Sequence, residues 1–302
     1  MSLANPTAPR SIDARSAART VNLSRNPFEA RAFISFILTA GAWLIALLGA
    51  VPLFSVIYML VTKGGARLGL ELFTELPPAG FEEGGGIGNA IQGTLVTVGI
   101  AALISIPVSL FAAIYLAELK PEARIAKLTR FLSKVLTGFP SILAGVFVYA
   151  AVVLTMGSYS ALAGGVALAV LMLPTVTLTA EGAMSMVPQK MKDAAIGMGC
   201  TQAQVVWSVT VPTALPSVVT GIILSVARVA GESAPLLFTA LFSNYWLRSV
   251  MEPTASLSIL IYNFSSMPFD NQIELAWAAS LVLVAIVLGF NILSRFIGRP
   301  NV

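Results

Sequence analysis

The chain has 302 residues, of which 57% are hydrophobic and 11% charged, and it carries a net charge of +4. Soluble domains carry about 25% charged residues, so this composition excludes a water-soluble globule and makes lipid the solvent for much of the surface. The basic residues cluster at the ends of apolar runs, where orientation in a membrane accounts for them and nucleic-acid binding need not be invoked.

A helix needs about 20 apolar residues to cross the hydrocarbon core of a bilayer, and the pattern predicts an all-α integral membrane protein with six such helices. Strands would need a closed barrel with alternating apolar and polar residues, which the chain lacks. Residues 1–31 are polar and arginine-rich, without the apolar core and cleavage site of a signal peptide. They are expected to form an N-terminal arm ahead of a transmembrane domain over 32–302. The first span is expected over 33–61. Gly84-Gly85-Gly86-Ile87-Gly88 follows no strand and does not fit a dinucleotide fingerprint, so it reads as a loop. The second span is expected over 91–116. Asn89, Gln92, Thr94 and Thr97 near its start either line a polar pathway or serve as caps and interhelical hydrogen bonds.

Pro121 and Pro140 flank a basic connection in which Arg124, Lys127 and Lys134 recur at helical spacing. Either a short amphipathic helix in the membrane interface or a solvated loop fits that pattern. The third and fourth spans, over 139–156 and 161–180, are joined by Gly157-Ser158-Tyr159-Ser160 and should form a helical hairpin. A polar loop over 187–212 follows. It reads Asp193-Ala194-Ala195, three residues, Gly199, nine residues, then Val209-Thr210-Val211-Pro212. Its residues favour helix, with Thr201 and Gln204 spaced for a capping box. Ala194, Ala195, Met198 and Val205 are expected on one face, and Gly197 and Gly199 are expected to admit another backbone closely. Pro212 and Pro216 are expected to form a rigid turn leading from this loop into the membrane.

The fifth span is expected over 216–241 and contains Arg228 and Glu232, four apart and hence on one helix face. Arg228 lies about 18 Å along the helix from Pro216, near mid-bilayer. A guanidinium there must face water or a partner, and its planar, permanently charged fork suits a tetrahedral oxyanion. Two readings stand: the pair lines an anion path, with Glu232 offsetting the charge when no anion is present, or it fixes helix packing. The sixth span is expected over 275–297.

The single cysteine, Cys200, and the absence of histidine exclude an internal disulfide, the usual zinc sites and a His-based general base. No Gly-x-x-x-x-Gly-Lys-Ser/Thr stretch is present, so no ATP, metal or other cofactor is expected on this chain, and an integral-membrane enzyme has no support. Arg10, Arg15, Arg19, Arg25 and Arg31 precede the first span. Lys120, Arg124, Lys127, Arg130 and Lys134 fall between the second and third, Lys190 and Lys192 between the fourth and fifth, and Arg295 and Arg299 at the end of the sixth. The opposite side keeps Lys63, Arg67 and Arg248. The positive-inside rule then places both termini and the Asp193 loop in the cytoplasm.

The Asp193–Pro212 spacing resembles the cytoplasmic loop by which membrane subunits of bacterial ABC importers grip their ATPases. The family pattern is Glu-Ala-Ala, three residues, Gly, nine residues, Ile-x-Leu-Pro; Asp193, Val209 and Val211 depart from it conservatively. Gly231-Glu232-Ser233-Ala234-Pro235-Leu236-Leu237-Phe238-Thr239-Ala240 resembles the signature of the A-type permease of the bacterial high-affinity phosphate ABC transporter. Glu252-Pro253-Thr254-Ala255-Ser256-Leu257 and Gly85-Gly86-Ile87-Gly88-Asn89-Ala90 resemble further stretches of that permease, and the likeness runs from about Phe73 to Trp277. Leu178 stands where the family leads one to expect a basic residue.

The resemblance implies the type I ABC importer permease fold, in the bacterial inner membrane, with a coupling helix that docks on the ATPase through Asp193, Ala194, Ala195, Gly199, Val209 and Pro212. It implies no chemistry on this chain, with ATP and Mg bound by two partner ATPase subunits. It also implies a heterodimer with a C-type permease, an external phosphate-binding protein, and a substrate path touching Arg228 and Glu232. The rivals are the same machine carrying sulfate or molybdate, and a secondary transporter or channel that needs no ATPase-docking helix.

Overall fold

The computed structural model describes residues 30–298 and is helical, with no strand among the described residues. The arm expected over 1–31 lies outside them, as does Arg299, except that Ala30 and Arg31 already belong to the first helix, α1 (Ala30–Met59). The chain divides into two units at Val56 and Ile57. Within the described residues, the first unit is the leading part of α1, whose large side chains, Phe36, Trp43, Leu48 and Phe54 among them, are all exposed. A helix apolar on every side is at home in lipid.

The second unit takes in the end of α1, then a π-helical turn over Leu60–Gly64 and the short α2 (Leu70–Thr74). Then comes α3 (Gly88–Ile114), prolonged by a π turn over Tyr115–Leu119. The basic connection is helical: α4 (Arg124–Thr137) buries Ala126 and Ser133 and leaves Leu128, Phe131, Leu132 and Val135 exposed. At Pro140 the chain bends by 108° into α5 (Ser141–Val148), a π turn and α6 (Leu154–Met156). The third span starts at Ser141, not 139: Pro140 is the N-cap, with ψ 124° outside the helical region, and its ring disfavours helix at Phe139 before it. Gly157, left-handed at φ 72°, ends it, and Ser160 accepts from the Ala163 N–H to start α7 (Ala161–Ser185), closing the expected hairpin.

α8 (Gln189–Gly197), α9 (Gln202–Val205) and a π turn over Val206–Thr210 lead into α10 (Val211–Ala230). Pro212 and Pro216 lie inside α10 rather than in a turn; Pro212 is at its second position, where a missing N–H costs little, and Pro216 at its sixth, where the helix goes without one bond. The fifth segment is not the single run expected over 216–241. It breaks at Gly231–Ser233 and resumes as α11 (Ala234–Thr239). Pro235 removes the N–H that would bond the Gly231 carbonyl, and its ring would strike that carbonyl. A long loop, α12 (Leu257–Phe264) and α13 (Asp270–Ile297) complete the chain. Among the described residues, five helices are long and apolar enough to cross a membrane, and the bent α4–α5 pair makes up to six.

α7 is the axis of the second unit, with 61% of its apolar window buried. α3 runs alongside it in the same direction: Gly164 and Gly165 meet Thr97 and Ile100, the Ser109 hydroxyl donates to the Leu173 carbonyl at 3.0 Å, and Ile114 packs with Ala180 and Ala183. α10 runs the other way, with Val218 beside Ala183 and Met184 and Val229 beside Met172 and Val176. α10 thus ends level with the middle of α7, and α11 continues to the N-terminal end of α7, where the Ser160 N–H donates to the Thr239 carbonyl at 3.1 Å. The two together make one discontinuous crossing.

Candidate functional site

Arg228 occupies the last turn of α10, and Glu232 lies past the C-cap, Gly231. The break corrects the expectation that they share a helix face: the Glu232 N–H bonds the Val229 carbonyl at 3.1 Å, and the chain has already turned. They do not pair. The ion pairs among the described residues are Arg67–Glu274, Lys127–Glu122, Arg130–Glu181 and Lys192–Glu118. Arg228 and Glu232 instead line one cleft with Thr137, Ser141, Thr175 and Ser225. Leu171, Met172 and Thr175, at the midpoint of α7, form its wall, so the guanidinium sits at mid-depth. The cleft encloses about 30 Å³, room for little more than a water or two, and the Arg228 side chain is exposed.

The break is held by a close approach. A Cβ on Gly145 of α5 would lie 2.6 Å from the Pro235 Cα. Gly145→Ala should therefore cost about 1–3 kcal/mol by overpacking, read as a lower unfolding midpoint of the detergent-solubilised protein; an unchanged midpoint would show that α5 and α11 can part freely.

The polar residues at the start of the second span lie elsewhere. Asn89 donates to the Ser243 carbonyl at 2.8 Å, Gln92 exchanges two hydrogen bonds with the Leu247 backbone, and Thr94 accepts from the Leu257 N–H at 2.9 Å. Thr97 donates to the Gly93 carbonyl. Asn89, Gln92 and Thr94 tie α3 to the loop before α12 and to the start of α12, and none of the four lines the Arg228 cleft. Asn89, Gln92 and Thr94 thus make bonds between elements, and Thr97 bonds within α3.

On the opposite side of the molecule α8 and α9 form a short helical hairpin. The Gly199 N–H bonds the Ile196 carbonyl, the Cys200 N–H bonds the Ala195 carbonyl, and Gly199 has φ 91°. This is a Schellman stop. The missing side chain of Gly199 permits this left-handed turn. Thr201 and Gln204 form the expected capping box. The expected single face divides: Ala195 and Val205 are buried, whereas Ala194 is exposed and Met198 is 80% exposed. Asp193 accepts from Gln189 at 2.9 Å and is exposed, as is Pro212, while Val209 is half-buried. Met191, Ala194, Ile196 and Met198 thus give this loop an apolar outer surface.

Sequence reasoning missed the two ion pairs that brace this side. Arg130 of α4 pairs with Glu181 of α7, and Lys192 of α8 pairs with Glu118 at the end of α3 at 2.6 Å.

The family described as "Binding-protein-dependent transport system inner membrane component" matches residues 105–299. The phosphate transport system permease protein PstA of Pasteurella multocida is 37% identical over 273 residues, which cover 90% of this chain and 97% of that one. The probable phosphate transport system permease protein PstA of Methanocaldococcus jannaschii is 38% identical, covering 88% and 94%. Among solved structures, a chain of the bacterial alginate ABC transporter superposes with a TM-score of 0.63 at 15% identity, covering 92% of this chain and all of that one. A chain of the inward-facing methionine ABC transporter gives 0.54 at 18% identity, covering 70% and 94%. The fold is that of the type I ABC importer permeases. The chain belongs to the binding-protein-dependent transport system inner membrane components and, within them, to the family of the phosphate transport system permease proteins.

Proposed function

We propose that this chain is the membrane-spanning permease subunit of an ATP-driven importer of inorganic phosphate. The observation that carries the reading is a guanidinium with no ion pair among the described residues, in a mid-depth cleft of a chain whose relatives are named for phosphate transport. An arginine fork satisfies a tetrahedral oxyanion through charge-assisted hydrogen bonds, and one such contact, without a closed cage, lets the cargo leave. The far wall of the pathway comes from a second, C-type permease, because this chain alone encloses so little volume around Arg228.

The apolar, exposed α8–α9 hairpin docks in a groove of a cytoplasmic ATPase, with Asp193, Ala194, Ala195, Gly199, Val209 and Pro212 shaping it. ATP and Mg belong to two such ATPase subunits, and an external binding protein delivers phosphate to the side of the Ser243–Leu257 loop. The positive-inside distribution supports cytoplasmic termini. Closure of the ATPase dimer moves α8 and α9, the permeases open outward to accept phosphate, and hydrolysis resets them.

Reconstitution with the three kinds of partner in vesicles tests this. ATP-dependent uptake of radiolabelled phosphate, with excess sulfate competing poorly, is expected. Preferential uptake of sulfate or molybdate would reassign the cargo, and uptake that persists without ATP under held ion gradients would make the chain a secondary transporter.

A further inference from the structure

The inner end of α3 is a junction. A helix leaves its last carbonyls without intrahelical partners, and here side chains from other elements take them. Arg130 of α4 donates to the Leu116 carbonyl at 2.7 Å while its Nε pairs with Glu181 of α7. Gln202 of α9 donates to the Glu118 carbonyl at 2.9 Å. The Glu118 carboxylate receives the Lys192 ammonium of α8, and both side chains are nearly out of water, at 8% and 11% exposed. Cations also suit the negative end of the helix dipole. Among the described residues, these two links from Glu118 are the only hydrogen bonds or ion pairs that tie α8 or α9 to another membrane-spanning helix.

We infer that Glu118 is a positioning residue that makes α3 travel with the α8–α9 hairpin. By chain continuity, a push on α8 and α9 reaches α7, three residues before α8, and α10 after α9, but neither α3 nor α4. Through Glu118 it also reaches α3, and through Arg130 it reaches α4 and α7, so the inner ends of four helices shift as a block. The buried pair is what keeps this link rigid: a charge that loses its partner there has no water to turn to. Movement at the docking surface is thereby carried to α3 and α4 as well as α7 and α10, so that three helices lining the Arg228 cleft, α4, α7 and α10, move together. The inference rests on the coupling role proposed for α8 and α9.

The assembled complex in vesicles provides the test, with phosphate uptake and ATP hydrolysis measured together. Glu118→Gln and Lys192→Gln are expected to go on hydrolysing ATP while phosphate taken up per ATP falls about tenfold. The exchanged pair E118K/K192E is expected to regain at least about half of the ratio, since the attraction is restored with its sign reversed. Gln202→Ala removes a neutral link and strands no charge, so it is expected to assemble normally and lower the ratio about threefold. An unchanged ratio in Glu118→Gln, or in Gln202→Ala should the charge variants fail to assemble, overturns the inference. So does an exchanged pair no better than the single variants. Failure of the importer reading itself looks different: the unaltered complex would then take up no phosphate on ATP.

Discussion

Replacing Arg228 with glutamine is expected to reduce phosphate uptake by about 10- to 100-fold, the equivalent of one hydrogen bond to a charged group at 1.5–3 kcal/mol. Assembly with the partners should be unaffected, because Arg228 makes no ion pair among the described residues whose loss would strand a charge. Lysine at this position keeps the charge but loses the planar fork, so Arg228→Lys should retain more uptake than glutamine and less than arginine. Uptake by vesicles and co-purification of the complex are the two measurements. The rival, a guanidinium that fixes packing against the second permease, predicts the opposite order of events: the complex would come apart first. Glu232 separates the readings further. It sits in the same cleft without bonding Arg228, so Glu232→Gln removes negative charge near the anion and should slow release more than binding.

The parts of this molecule that could be read from the chain are those decided locally. Apolar runs of about 20 residues mark spans because lipid leaves the backbone no other partner. The Thr201–Gln204 box and the Gly157–Ser160 turn are set by neighbours three residues away or fewer, and both appear in the structure. The basic connection before Pro140 was ambiguous between helix and loop. Its helix is settled by what it packs on, with Ala126 and Ser133 buried and Arg130 drawn to Glu181.

The break at Gly231–Ser233 is hard to see because apolar residues resume on its far side in Leu236, Leu237 and Phe238; Gly231, Glu232 and Pro235 are its local signs. Glu118 and Lys192 are 74 positions apart, and Arg130 and Glu181 51. Nothing in one sequence pairs them, since that depends on how α3 and α7 lie side by side. Arg228 was legible as an isolated charge in an apolar run; that it stands apart from Glu232 was not, because the spacing of four holds only while the helix is unbroken.

Gly199→Val is expected to reduce ATP-driven uptake by about 5- to 150-fold while the spans still insert. At φ 91° a β-branched residue is a genuine outlier, and holding it there costs of order 1–3 kcal/mol. The loop would escape that cost by unwinding the Schellman stop, which swings Met198 and Ala194 away from their positions relative to α9. Space does not decide the matter, for nothing lies within 4 Å of a Cβ built on Gly199. Asparagine tolerates this backbone region several-fold better than most residues, so Gly199→Asn should preserve more of the activity than valine although its side chain is no smaller. That order, asparagine above valine, is the signature of a backbone requirement. The reverse order, or full activity in both, would mean that the loop's shape is not what the ATPase recognises. Met198→Asp completes the argument from the other direction. It leaves the turn intact and puts a charge on a side chain 80% exposed, so a loss of uptake with reduced ATPase co-purification locates the docking surface on the outer face of the hairpin, and intact co-purification moves it elsewhere.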